Sequence, residues 1–167
     1  MRHFPAGLAL SLAVALTASI GQGAEREPDP RAVVLQKQGQ AKLAAGEVQA
    51  AIDAFEAALV VDPGYTTIYL DLGEAARREG LHGKAIHFYR RALEREPENF
   101  AAISGEGAAL VEKGALEKAK RNLSKLETMC GANCRETKSL ASVIARGPQE
   151  RVLTAEAVTP ETVVTQN

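Results

Sequence analysis

Three glycines at one fixed interval constrain this chain more than any other feature: Gly39, Gly73 and Gly107 lie 34 residues apart. The same step links Gly46, Gly80 and Gly114, and again Ala51, Ala85 and Ala119. Phe55, Tyr89 and Leu123 keep it too. Pro63 and Pro97 close the first two copies, and Gly131 stands where a third proline would fall. A constant period of this length means one supersecondary unit stacked on copies of itself, because each unit has an apolar face that only a neighbour can cover. Such stacks present long continuous surfaces, so the chain reads as a binding scaffold rather than an enzyme.

The repeats resolve into helix pairs. Ala32 to Ala45 and Val48 to Val61 form the first, with Gly46-Glu47 at the turn. The second pair runs near Thr66–Glu79 and His82–Arg95, the third near Phe100–Lys113 and Leu116–Met129. Asp29-Pro30 marks the first helix start, with Asp as N-cap and Pro at the first helical position. The three turn glycines supply the positive φ that ends a helix. Gly39, Gly73 and Gly107 let the paired helix approach closely, Ala51, Ala85 and Ala119 match them from the other side, and Phe55, Tyr89 and Leu123 fill the gap between neighbours. A seventh helix is expected from Cys134 to Arg146. Leu140, Val143 and Ile144 lie on one face of it. Asn133 is its expected cap with Glu136 three residues on, and Gly147-Pro148 is its stop.

With these residues in register, the chain resembles the tetratricopeptide repeat family. The second copy carries the resemblance best, through Tyr69, Leu72-Gly73, Gly80, Ala85-Ile86, Tyr89, Ala92-Leu93 and Pro97, with Ala76 where the family has an aromatic. The first copy gives Leu35, Gly39, Gly46, Ala51-Ile52, Phe55, Ala58-Leu59 and Pro63, departing at Gln38 and Lys42. The third keeps Gly107, Leu110, Gly114 and Ala119, but has Leu126 in place of an alanine. The resemblance implies an all-α, right-handed superhelical solenoid of three helix pairs (32–65, 66–99 and 100–133), closed by a capping helix over 134–146. It also implies a concave groove lined by the first helix of each pair. Carried over, the groove residues are Val33, Gln36, Gln40 and Leu43, then Thr67, Leu70, Glu74 and Arg77, then Ala101, Ser104, Ala108 and Val111. Members that clamp a C-terminal carboxylate use Lys and Asn where this chain has Gln36 and Gln40, Leu70 and Glu74, and Ser104 and Ala108. That clamp is therefore not carried over, and the groove is expected to take an apolar or amphipathic segment of a protein or peptide partner.

Residues 1–24 are laid out as a secretory signal peptide: a basic start at Met1-Arg2-His3, an apolar run from Phe4 to Ile20, and small residues before Glu25. The apolar core is shorter than the about 20 residues a spanning helix needs. An uncleaved membrane anchor is the rival reading. Cleavage is expected after Gly23 or Ala24, with no membrane insertion afterwards, and no cysteine lies near that site to take a lipid. The protein is expected in the periplasm or outside the cell, with residues 25–31 as a linker. Residues 147–167, rich in Thr, Val, Pro and Ala without helical period, are expected to be a disordered tail.

Losing the leader leaves 19 basic residues against 21 acidic ones, well interspersed. A basic stripe of the kind nucleic-acid binders carry is lacking, so no nucleic-acid partner is expected. No phosphate loop, nucleophile elbow or paired catalytic carboxylate occurs, and no cofactor is expected. His82 and His87 are five residues apart, without the companions that would complete a metal site. The cysteines leave more open. Cys130 and Cys134 form an even pair in a chain read as exported, which favours a disulfide pinning the last helix. A thiolate at a helix start would instead favour a redox or metal-linked factor, although the spacing is not C-x-x-C. Free thiols are the third possibility.

Overall fold

The computed structural model describes residues 27–148. Residues 1–24, expected to be a signal peptide, and residues 149–167 of the expected tail lie outside the described residues. Seven helices follow one another: α1 (Pro30–Ala44), α2 (Val48–Val61), α3 (Thr67–Arg78), α4 (His82–Arg95), α5 (Phe100–Glu112), α6 (Leu116–Cys130) and α7 (Arg135–Arg146). Among the described residues there is no strand, and no helix is long and apolar enough to cross a membrane. The helices pack as an all-α solenoid: α1 against α2, α3 against α4 and α5 against α6 within pairs, and α1, α3, α5 and α7 in sequence along one side.

The turns inside the pairs repeat one hydrogen-bond pattern. At α3 the Gly80 amide donates to the Arg77 carbonyl at 2.8 Å and the Leu81 amide reaches back to Ala76 at 2.8 Å. This double closure satisfies the last carbonyls of the helix and needs a left-handed residue between them. Gly80 supplies it with φ +69°, as Gly46 and Gly114 do at the equivalent turns. With the chain turned by this device, α2, α4 and α6 start without any side-chain cap. Of the helices that begin a repeat, α3 also lacks a side-chain cap, whereas α1 and α5 have one. Asp29 accepts from the Arg31 amide at 2.8 Å with Pro30 just inside α1, and Asn99 accepts from the Ala102 amide at 2.9 Å. Pro30 and Arg31 thus belong to α1 rather than to a linker. α7 differs from expectation: its N-cap is Cys134, not Asn133, and no side chain caps it.

Packing follows the small residues. Ala51, Ala85 and Ala119 are fully buried, as are Ala58 and Ala92. A Cβ added to Gly39 would lie 2.6 Å from Phe55 Cδ1, and one added to Gly73 would lie 2.7 Å from Tyr89 Cζ. The third repeat departs from this scheme. The side chain facing Gly107 is Leu140 of α7, 2.6 Å from where a Cβ would stand, and not Leu123. Leu123 packs half-buried beside the last core cluster. A leucine is shorter than the rings of Phe55 and Tyr89, and a side chain from the next helix takes the space. Leu126 is completely buried where the other repeats have alanine.

Candidate functional site

Residues from α1, α3, α5 and α7 face one side of the solenoid, and the network begins at its N-terminal half. Gln36 is buried. Its amide donates to Asp71 Oδ2 at 2.6 Å, its carbonyl accepts from the Tyr65 hydroxyl, and Gln40 adds a second donor to Asp71 at 3.2 Å. Burial pushes the Asp71 carboxyl above the usual carboxylate range, and the hydrogen bonds from Gln36 and Gln40 pull against it. Burial raises the Tyr65 hydroxyl as well, with the Asp71 and Asp62 charges adding to it. These groups satisfy one another, so Gln36 and Gln40, both expected to meet a guest, are committed to binding α1 onto α3. Nearby, Arg78 donates to the Leu43 carbonyl at 2.7 Å and closes the end of α1.

A second network ties α3 to α5. Arg77 donates to Glu112 through Nε at 3.1 Å and a terminal nitrogen at 2.5 Å, and to Glu74 at 2.9 Å. Burial alone would lower the Arg77 guanidinium, but the Glu112 hydrogen bonds and charge hold it above its ordinary value. Beneath it Tyr89 is pushed up to about 12 by burial, with the Glu74 and Glu112 charges adding and Arg77 opposing. His82 Nδ1 lies buried 3.2 Å from Glu112 Oε2, outside hydrogen-bond geometry. Deeper in, Glu106 is buried and receives Arg90 Nε at 2.7 Å and Asn122 at 3.1 Å.

The open part of the concave side is a pocket of about 290 Å³ between α3, α5 and α7. Tyr89 lies at its base. Glu74 and Arg77 line it from α3, Ala101, Ser104 and Gly105 from α5, and Arg135, Glu136 and Ser139 from α7. The Ser104 hydroxyl donates to the Glu136 carbonyl at 3.2 Å. Arg135 donates to Glu136 Oε1 at 3.0 and 2.8 Å and holds that carboxyl below its usual value.

Four of the twelve expected groove residues therefore line this pocket: Glu74, Arg77, Ala101 and Ser104. Leu43, Ala108 and Val111 need correction. They are buried in the packing between helices, because small and branched side chains on these turns face the neighbouring helix rather than the hollow. Leu70 is half-buried against the middle core cluster, and Val33 is half-buried on α1. Thr67 is exposed but lies outside the pocket. The apolar lining expected from Leu43, Leu70 and Val111 is absent from the pocket, whose rim is polar and charged. The contribution of α7 is new. Its signal was in the period itself, since Arg135 and Ser139 stand one 34-residue step after Ala101 and Gly105. In this position α7 acts as the first helix of a fourth unit.

At the end of α6, Cys130 and Cys134 are joined by a disulfide with Cα atoms 5.7 Å apart. Among the described residues, no group of three His, Cys, Asp or Glu side chains could hold a metal ion.

Residues 37–100 match the family model described as tetratricopeptide repeat. A comparison with curated proteins finds no match. Among solved structures, the tetratricopeptide-repeat domain of Sgt2 from Aspergillus fumigatus is similar at 25% identity with a TM-score of 0.64, over 77% of this chain and 92% of that one. The first such domain of Spaghetti (RPAP3), bound to an HSP90 peptide, gives 22% identity and a TM-score of 0.63 over 70% and 91%. The Yersinia enterocolitica type III secretion chaperone SycD, in complex with a peptide of the translocator YopD, gives 23% and 0.59 over 68% and 86%. Residues 37–100 are thus similar to the tetratricopeptide repeat, in support of the reading from the glycine spacing, and the seven helices have the fold of tetratricopeptide-repeat domains.

Proposed function

We propose that the chain is an exported, non-enzymatic scaffold that holds an extended segment of a protein or peptide partner along its concave face, in the periplasm or outside the cell. The observation that carries this reading is the pocket where α3, α5 and α7 converge. Ala101 is small enough to let a guest backbone come close, Ser104 and Ser139 offer hydroxyls, and Glu74–Arg77 and Arg135–Glu136 present both signs of charge. Such a lining suits an extended guest that offers main-chain groups and side chains of both signs, and a polar rim with few apolar anchors fits a reversible contact. The peptides held by the similar RPAP3 domain and by SycD support the same kind of guest. Export rests on the layout of residues 1–24.

The test places a photo-crosslinking amino acid at Ser139, on the pocket, or at Lys118, exposed on α6, and irradiates intact cells. Mass spectrometry is expected to find a partner segment joined at Ser139 and not at Lys118. Crosslinks formed at Lys118 alone would refute the concave-face reading. The mature N-terminus is expected at Ala24 or Glu25, and a chain still beginning at Met1 would remove signal cleavage from the proposal.

A further inference from the structure

We infer that the Cys130–Cys134 disulfide positions the pocket for its guest, so that a dithiol reductant weakens guest binding by releasing the first turn of α7; the inference rests on the concave-face reading above. The first turn of α7 supplies Arg135 and Glu136 to the pocket, and Ser139 follows one turn on. Helix starts are weakly held, because their first amides have no partner inside the helix. Here the N-cap is Cys134, which offers no side-chain cap. Its cysteine is instead bonded to Cys130, the last residue of α6, one residue away from Arg135.

The rest of α7 is held by apolar packing further along, at Leu140, Val143 and Ile144, and its first turn by the buried Thr137 and single hydrogen bonds. Leu140 is fully buried against Gly107. The Thr137 hydroxyl donates to the Gly131 carbonyl at 3.0 Å, and the Ser104 hydroxyl donates to the Glu136 carbonyl. Between α6 and α7, Ala132 and Asn133 are exposed and Gly131 has φ +86°. Besides the short backbone link through Gly131, Ala132 and Asn133, the disulfide is the covalent tie between the helix ends, beside the residue where the pocket lining begins. The Arg135 side chain is 90% exposed and Glu136 is 18% exposed. Arg135 is placed by the backbone beneath it and its hydrogen bonds to Glu136, whose own carboxylate lies 3.3 Å from Cys134 Sγ.

The chemistry is ordinary exchange. A thiolate of the dithiol attacks one sulfur of the bridge and forms a mixed disulfide, and its second thiol then displaces the protein sulfur. The protein S–S bond is broken, Cys130 and Cys134 end as thiols with two protons taken up, and the reductant leaves as its own disulfide.

The experiment selects short peptides from a randomised library on the oxidised protein. It then measures Kd with the protein oxidised, reduced by dithiothreitol, reoxidised, as Cys130→Ser with Cys134→Ser, and as Arg135→Ala with Glu136→Ala. Reduction is expected to raise Kd about tenfold, reoxidation to restore it, and the double Ser variant to match the reduced protein. In the Arg135/Glu136 variant, reduction should change Kd no further, because the residues it displaces are already gone. Equal affinity in both redox states overturns the inference, and so does the same fold-loss in both backgrounds, which would mark a general loss of fold. Should the library yield no binder to the oxidised protein, the concave-face reading fails and amide exchange decides the inference alone. Faster exchange over residues 135–139 on reduction, with the rest of the solenoid unchanged, upholds the positioning; unchanged exchange there overturns it.

Discussion

Replacing Gly105 by alanine should destabilise the solenoid, while the same replacement at Gly83 should stabilise it. Both glycines lie inside helices, α5 and α4. Alanine in a helix interior is favoured over glycine by about 0.5–1 kcal/mol, and at Gly83, in the first turn of α4, nothing opposes the smaller share of that gain: the nearest atom to an added Cβ is Lys113 Nζ at 4.0 Å. At Gly105 the added Cβ would stand 2.5 Å from Tyr89 Cζ. The ring has nowhere to go, since a Cβ at Gly73 on α3 would stand 2.7 Å from the same atom. Tyr89 is held between two helix backbones and is only 4% exposed. Overpacking of this kind costs about 1–3 kcal/mol, and with the helix gain subtracted a net loss of about 1 kcal/mol remains at the middle of both ranges. Urea unfolding followed by far-ultraviolet circular dichroism reads the difference as a shift in midpoint at constant slope. Tyr89→Leu provides the internal control: it costs stability by itself, but in that background Gly105→Ala should become neutral or favourable. A Gly105→Ala variant as stable as the parent would refute the account of how α3, α4 and α5 meet.

Ala85→Leu should cost about 1–3 kcal/mol in the same assay, because Ala85 is fully buried at the contact of α3 and α4; an unchanged midpoint would mean the pairing is misassigned. Unreduced protein should weigh two hydrogens less than the thiol form, and reduction should lower stability by about 2 kcal/mol, the modest gain expected of so short a closed loop. No loss on reduction would remove the disulfide from the list of what holds α7. Asp71 gives a pH dependence. Its folded carboxyl keeps its proton to a higher pH than the ordinary 3.8, so the folded state binds more protons in that window. Stability should therefore fall as pH rises from 3.8 through the raised value. Asp71→Asn should remove this slope, and a parent-minus-variant difference that is flat or rises with pH would contradict the assignment.

Most of the fold was legible because the period acts on residues that have few alternatives. The turn glycines must adopt positive φ, and the alanines and glycines at helix contacts must be small, so the sequence marks helix ends and pairings to within a residue or two. The bounds of α2 and α4 agree with the reading, α3 is one residue shorter at each end, and α5 one residue shorter at its C-terminal end. The groove was less legible, because lining it depends on how far each first helix is rotated against the next. Gln36, Leu43, Ala108 and Val111 lie on the concave-side helices yet point into neighbours. Gly105 carried no family signature, and its role appears only when Tyr89 is placed between α3 and α5. Reading α7 as a simple cap hid its part in the pocket, although one more 34-residue step leads to Arg135 and Ser139.

The two ends of the concave side are built for different purposes. At the N-terminal end, Gln36, Gln40, Tyr65 and Asp71 use their hydrogen-bonding capacity on one another. A guest there would have to break a satisfied network, and leaving a buried polar group without a partner costs about 1–3 kcal/mol. At the C-terminal end, the charged groups line an open pocket, and the most exposed of them, Arg135, stands on the helix whose start depends on the disulfide. Rigid repeats thus provide the floor, through Tyr89 and the backbone at Gly105, and a tethered last helix provides the wall. On the proposed concave-face reading, a partner segment would gain most by meeting both at once, where the middle repeat, α5 and α7 converge.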